Sequence, residues 1–225
     1  MGREVKPSSR SYDASRRLAR AQQTRRSILD AAITLFTANG YGATTLQAIA
    51  DEAGVAVQTI YATLKNKPTI LEEALDVAIA GDDEPTAVNE RDWMTDVWSA
   101  DTGEQRLLAY AAAVGQIMER ASDMFTVVTS AALTDARLTN LETQTQQRRR
   151  AGAASVVESV TEVTDLAAGL TADRAADIVW LLNSPAVHQQ LVRAAGWSTH
   201  DYVAWLGRTL TRELLESGPR ANPAR

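Results

Sequence analysis

Residues 43–67 read ATTLQAIADEAGVAVQTIYATLKNK, and this stretch decides the fold. Thr44 or Thr45 can cap a short helix from Leu46 to Ala53, because a hydroxyl at that position accepts an otherwise orphaned backbone N–H. Gly54 makes a sharp turn, and Val55-Ala56 leads into a second short helix that runs through Leu64. Ala50 has the small side chain that two closely approaching helices need. Ile49, Val55, Ile60 and Leu64 can bury between them, which leaves Val57, Gln58, Thr59 and Ala62 on the more exposed side of the second helix. The pair has the form of a helix-turn-helix, whose second helix fits a major groove and offers short polar side chains to base edges. An ordinary helical hairpin shares the small-residue spacing, so the flanks matter, and Lys65 and Lys67 follow at once.

Charge separates the same end of the chain from the rest. Residues 1–67 carry ten Lys/Arg against five Asp/Glu, and the remainder carries thirteen against twenty-three, within a total of −5. A basic front on an acidic body points to a polyanion partner at one end, or to a solvated charged tail. The 225 residues suit one small and one larger domain, and the composition is rich in alanine and leucine with only 5% aromatics, which favours an all-α fold. The chain has no cysteine, which excludes disulfides, thiol catalysis and thiolate-held metals; a cytoplasmic location is expected. No apolar run approaches the ~18 residues of a membrane span. The N-terminal MGREVKPSSR lacks the apolar core of a secretory signal.

Four segments follow: a basic, partly disordered arm over 1–22, the helix-turn-helix domain over 23–67, a helical body over 68–217, and a flexible tail over 218–225. Helical character begins near Ser15 and strengthens after Thr24, where Ile28, Leu29, Ala32, Leu35 and Phe36 share a face until Asn39-Gly40. Pro68 suits the first turn of a further helix that ends before Gly81. Residues 81–104 read as a long connection with a short helix around Trp93 and Trp98, both taken as core anchors. Helices are then expected from Glu104, from about Asp123 through Leu133, and from about Arg137 to Val163, with Arg148-Arg149-Arg150 as a wetted turn. A helix capped by Thr171 should be kinked by Pro185 and end at Gly196. Ser198-Thr199-His200-Asp201 resembles a capping box ahead of the last helix.

The run TRRSILDAAITLFTANGYGATTLQAIADEAGVAVQTIYATLKNKPTILEEAL, residues 24–75, resembles the DNA-binding domain of the tetracycline-repressor (TetR) family. The resemblance is carried by Phe36, Gly40 and Tyr41, by Thr44-Thr45, by Ile49-Ala50 with Ala53-Gly54-Val55, by Thr59-Ile60-Tyr61 and by Asn66-Lys67. AADIVWLLNSP and LVRAAGWSTHDYVAWLGRTL are similar, less specifically, to the closing helices of many members. The resemblance implies that Thr45, Tyr61 and Lys67 contact backbone phosphate, that Thr63 can also donate to phosphate, and that Gln47, Val57, Gln58 and Thr59 reach bases. Gln58 carries both a donor and an acceptor, which suits adenine. Arg25 and Arg26 are candidates for phosphate or an adjacent minor groove, and Lys65 extends the basic flank. Two positions depart from the family pattern: Ala62-Thr63-Leu64 lacks an aromatic after the tyrosine, and Ala56 replaces a frequent serine.

The resemblance further implies a homodimer built on the last two helices, with Leu182, Leu191, Leu206, Gly207, Leu210 and Leu214 at its interface; covering their own core is the alternative for these stripes. It also implies a small-molecule effector, of unknown identity, that releases the protein from a palindromic double-stranded DNA operator. Candidates for the effector pocket are Met118, Phe125, Trp180, Asn183 and His188. The two polar members are read either as ligand contacts or as satisfied core groups, and the other three also as plain core. The effector would favour a conformer in which the fourth helix moves the DNA-binding domains out of operator spacing. An enzyme is the rival class, but the two histidines, His188 and His200, come with no nucleophile motif, metal-ligand spacing or phosphate loop, so no catalytic residue, cofactor or metal is expected. A ligand-independent architectural DNA binder is the third reading.

Overall fold

A computed structural model describes residues 9–215 except positions 85 and 87. The basic residues of 1–8 and the expected 218–225 tail lie outside the described residues. The chain divides into two compact units between Leu75 and Asp76.

The first unit holds α1 (Ser9–Ala43), α2 (Leu46–Ala53), α3 (Val57–Leu64) and most of α4 (Lys67–Ala80). Helix α1 begins ahead of the expected Ser15 start. It is interrupted at Gly40, whose φ of 77° and ψ of 165° are not helical. Ile28, Leu29, Ala32 and Phe36 of α1 are fully buried, as are Ile49 and Ala50 of α2, Ile60 of α3 and Ile70, Leu71 and Ala74 of α4. Burying each of the larger side chains is worth ~1.5–3 kcal/mol relative to leaving it in water. Gly54 closes α2 with φ 66° and ψ 33°, donating its N–H to the Ala50 and Asp51 carbonyls. A Cβ there would touch nothing within 4 Å, so the left-handed backbone, not crowding, is what requires glycine.

The second unit is built around α6, one helix over Gly103–Ala132. A break near Asp123 is expected from the apolar spacing, yet Ser122 and Asp123 sit inside the helix and serve as acceptors for Gln189 and Arg193. The other members are α5 (Asp92–Ser99), α7 (Thr139–Thr161), α8 (Ala172–Leu182), α9 (Pro185–His188) and α10 (Thr199–Leu215). In α5 it is Met94 and Val97 that are buried, while Trp93 and Trp98, expected as anchors, are half-buried. The connection before α5 is closed by Arg91, which pairs with Asp82 and donates to the Thr86 carbonyl.

Pro185 does not kink a continuous helix. Helix α8 ends at Leu182, Ser184 caps α9 by accepting from the Val187 N–H, and Pro185 takes the first turn, where its missing N–H costs nothing. A π-helical turn over Gln189–Ala194 follows. Ser198 then caps α10, accepting from the Asp201 N–H at 3.0 Å and donating its hydroxyl to the Asp201 carboxylate at 2.6 Å.

Helix α10 lies close on α6. A Cβ on Gly207 would come within 2.8 Å of Leu108 Cδ2, and one on Gly115 within 2.3 Å of Val203 Cγ2. Leu206, Leu210 and Leu214 are completely buried within the single chain, and Gly207 is buried with them. Four of the residues expected at a dimer interface therefore cover the protomer's own core. An apolar stripe has the same spacing whichever partner covers it, and here the partner is α6. Leu182 and Leu191 are half-buried.

Candidate nucleic-acid interface

Thr45 precedes α2 with extended backbone and is its N-cap: its hydroxyl oxygen accepts the Ala48 N–H at 3.1 Å. The side chain is exposed, as the resemblance requires of a phosphate contact. Gln47, one turn in, is also exposed, and its amide donates to Asp51 Oδ1 at 2.7 Å. On α3, Ile60 and Leu64 point into the core. That leaves Gln58, Tyr61 and Ala62 exposed, with Val57, Thr59 and Thr63 half-buried beside them. Tyr61 is 55% exposed, a large apolar ring left in water on a short helix. Thr63 spends its hydroxyl on the Thr59 carbonyl at 2.8 Å. Ala56 starts α3 without a side-chain cap, the consequence of the departure noted at that position.

The basic residues differ from one another. Lys65, just past α3, is exposed and holds φ at 63°, the one positive-φ residue other than glycine among those described. Lys67 is half-buried; its ammonium donates to the Thr44 carbonyl at 2.6 Å and stands 4.2 Å from the centre of the Tyr41 ring. Thr44 in turn is buried and donates to the Gly40 carbonyl at 2.9 Å. Lys67 therefore ties the start of α4 to the end of α1, a structural duty that the sequence reading misses because the partners lie 23 positions away. Arg25 is paired with Glu73, and Arg26 with Asp30 at 2.9 Å. Both arginines are partly neutralised; the Arg26 pair is exposed and held only weakly, whereas Arg25 and Glu73 are both half-buried.

A cavity of about 470 Å³ lies in the second unit, between α6, α7, α8 and α9. Phe125 and Trp180, two of the expected pocket residues, line it together with Val128, Leu133, Thr145 and Arg149. Met118 is buried core outside the lining. Asn183 is also set back from the lining; it accepts from Arg149 at 2.7 Å and donates to the Tyr110 hydroxyl. Burial pushes the Tyr110 hydroxyl up to about 12, the Asn183 hydrogen bond partly opposing it. The lining arginine and threonine escape the sequence reading because their helix has no strong apolar stripe to mark an inner face.

His188 is 2% exposed, rests edge-on against Tyr202 with ring centres 4.9 Å apart, and has no hydrogen-bond partner at either ring nitrogen. Burial, with Arg193 nearby, lowers its pKa below the ordinary 6.5, against the opposing pull of Asp123 and Glu119. The folded form binds fewer protons at this site than the unfolded chain. Stability is therefore full above the unfolded pKa and falls as pH drops through and below it. Replacing His188 by phenylalanine is expected to flatten the pH dependence of thermal unfolding between roughly pH 7 and 5, where the unfolded imidazole titrates. Calorimetry at several pH values checks this; parallel curves for the two proteins would refute it.

Among the described residues, no group of three or more His, Asp or Glu side chains is placed to hold a metal ion, and no helix is long and apolar enough to cross a membrane. None of the curated proteins matches the chain by sequence. The fold is that of several solved structures. The SmeT–triclosan complex aligns with a TM-score of 0.67 at 17% identity, covering 91% of this chain and 100% of that one. The fatty acid degradation regulator FadR from Bacillus halodurans aligns at 0.65 and 17% identity, covering 83% and 93%. A HlyIIR variant aligns at 0.59 and 14% identity, covering 89% and 99%. Residues 28–74 match the family of bacterial regulatory proteins described as the tetR family. That stretch contains α2, the Gly54 turn and α3 entire, so the family match falls on the helix-turn-helix of the first unit.

Proposed function

We propose that the protein is a ligand-responsive, DNA-binding transcriptional regulator, a repressor that leaves a palindromic operator when a small molecule binds. The observation that carries this reading is the outward face of α3, with Gln58 and Tyr61 exposed on a short helix whose other face is buried. The contact set is Thr45, Tyr61, Lys65 and Lys67 for phosphate, with Thr63, Arg25 and Arg26 at the margin, and Gln47, Val57, Gln58 and Thr59 for base edges. A DNA partner goes with a cytoplasmic location.

The protein acts as a homodimer, so that two recognition helices enter successive major grooves ~34–36 Å apart. With Leu206, Gly207, Leu210 and Leu214 buried in the protomer, the dimer contact falls to Leu182, Leu191 and the outward sides of the closing helices. Sedimentation of the purified protein tests this, and a strictly monomeric species over the working concentration range would reject it.

The effector acts from the 470 Å³ cavity, which is of the size that small-molecule sites commonly have. Helix α4 supports a coupling role, since it begins in the first unit and ends in the second. Its last turn is held there by Arg120, which donates to the Ile79 carbonyl at 2.9 Å, and by Arg148, 3.3 Å from Asp76. An effector shifts the equilibrium only by its difference in affinity between the operator-bound and free conformers. The triclosan of the SmeT complex belongs to that protein; for this chain it is one probe to try.

Gln58→Ala is expected to relax sequence preference by ~1–3 kcal/mol at the base it reads, while random-sequence binding stays nearly unchanged. Footprinting and titration against operator and scrambled duplexes at one salt concentration measure both. Equal losses on the two duplexes would remove Gln58 from base recognition.

A further inference from the structure

Three consecutive arginines on α7 meet two different fates. Arg148 pairs with Asp76 and Arg150 with Asp177, both on the exposed surface. Arg149 between them turns inward and lines the cavity. It donates to Gln146 Oε1 at 2.8 Å, to the Trp180 carbonyl at 3.0 Å and to Asn183 Oδ1 at 2.7 Å. All three acceptors are neutral, so the guanidinium is positioned firmly but its charge is not cancelled. The one acidic residue in the lining, Glu142, lies two helical turns away and accepts instead from Gln146 at 3.0 Å. Burial lowers the Arg149 pKa, and the groups that oppose this are the hydroxyls of Tyr110 and Tyr202, not a carboxylate.

Another lining residue lacks an acceptor altogether. Trp180 keeps its indole Nε1 buried with no hydrogen-bond partner. The rest of the wall is largely apolar, with Phe125, Val128 and Leu133 prominent, and Leu133 is 85% exposed where the cavity meets solvent. A half-buried cation that no carboxylate meets and a buried donor without an acceptor, beside the apolar surface of Phe125, Val128 and Leu133 and the neutral hydroxyls and amides of the wall, are best used by a ligand that brings a negative group.

We propose that the cavity binds an organic carboxylate, its acidic head received by Arg149 and its apolar body lying against Phe125, Val128 and Trp180. The inference rests on reading this cavity as the effector site and adds the chemical class of the effector. A guanidinium suits the task because its fork matches a carboxylate with parallel hydrogen bonds. The same arginine holds the Trp180 carbonyl and Asn183, at the end of α8 where the chain breaks before α9. A ligand that draws on Arg149 thus competes for the group that secures this break, which gives its binding a route to a change of conformer.

Calorimetric titration of the purified full-length protein tests the proposal. The probes are aliphatic and aryl carboxylates of about eight to fourteen heavy atoms, a size suited to such a cavity, each compared with its own primary amide. At least one acid should bind wild-type protein about tenfold or more tightly than its amide, the margin expected of a charge-assisted hydrogen bond. Arg149→Gln should erase that margin, and Thr129→Trp, at an exposed lining position on α6, should block acid and amide alike. Circular dichroism confirms that each variant is folded; were Arg149→Gln to unfold, the acid–amide comparison on wild type and the Thr129→Trp result decide. Amides binding as tightly as acids, acids binding Arg149→Gln undiminished, or no acid binding at all would overturn the proposal. Operator binding by the ligand-free protein is measured separately, so a failure of the regulator reading shows there and leaves the anion result standing.

Discussion

Replacing Lys65 by glycine is expected to make the protein more stable and worse at holding DNA. The backbone at Lys65 has φ 63°, a region that glycine enters freely and a lysine enters only with strain. Relief of that strain should raise unfolding stability by about 0.5–1 kcal/mol, read as a higher urea midpoint at unchanged slope. The same change removes an exposed charge next to the recognition helix. In the proposed dimer two phosphate contacts disappear, the slope of log affinity against log salt becomes shallower by about one per lysine, and affinity near 0.15 M salt falls by about tenfold or more. The opposite signs are the useful feature, because a merely structural lysine would not lose DNA affinity while gaining stability. Unchanged salt dependence in a stabilised variant would take Lys65 out of the interface. Lys67 cannot give so clean a test, since its ammonium also secures the Thr44 carbonyl.

The largest loss of stability is expected at Arg106. This buried side chain donates to the Ala100 carbonyl at 2.9 Å, to the Ser159 carbonyl at 2.5 Å and to the Glu162 carboxylate at 2.8 Å, joining the start of α6 to the end of α7 and the loop before α6. Arg106→Met keeps most of the volume but takes the guanidinium from both carbonyls, leaving Ser159 only the long bond from the Glu162 N–H at 3.3 Å. Glu162 itself is largely exposed and can turn to water, so the penalty comes chiefly from the carbonyls. A cost of about 3 kcal/mol follows. In a unit of this size that lowers the melting temperature by roughly 6–12 °C. Arg106→Lys should recover part of it, since an ammonium can reach fewer of these acceptors at once. Calorimetric scans of the three proteins decide the matter, and a Met variant melting within a degree of wild type would show the network to be dispensable.

Where local chemistry was sufficient, the chain could be read directly. Helix α2, the Gly54 turn and α3 lie within a residue or so of their expected limits, because a capping threonine, a left-handed glycine and short-range burial leave few alternatives. The same holds for Thr171, whose hydroxyl caps α8 as expected. Pro185 cannot be read from local chemistry alone. Its ring permits either a kinked helix or the first turn of a new one, and the apolar pattern continues across it in both cases. The Asn183–Ser184 break resolves it, with Asn183 held from outside by Arg149.

Composition, capping residues and short-range apolar spacing by themselves determined that the fold is all-α, where the two short helices either side of Gly54 begin and end, and which side of α3 faces outward. Only the tertiary structure decided that Leu206, Leu210 and Leu214 are buried within the protomer, that α6 is one helix, and that Arg149 turns inward while Arg148 and Arg150 do not. The division has a physical cause. Caps and turns are satisfied by neighbours a few residues away, whereas the partner that covers an apolar stripe or receives a charge is chosen by packing between segments far apart in the chain.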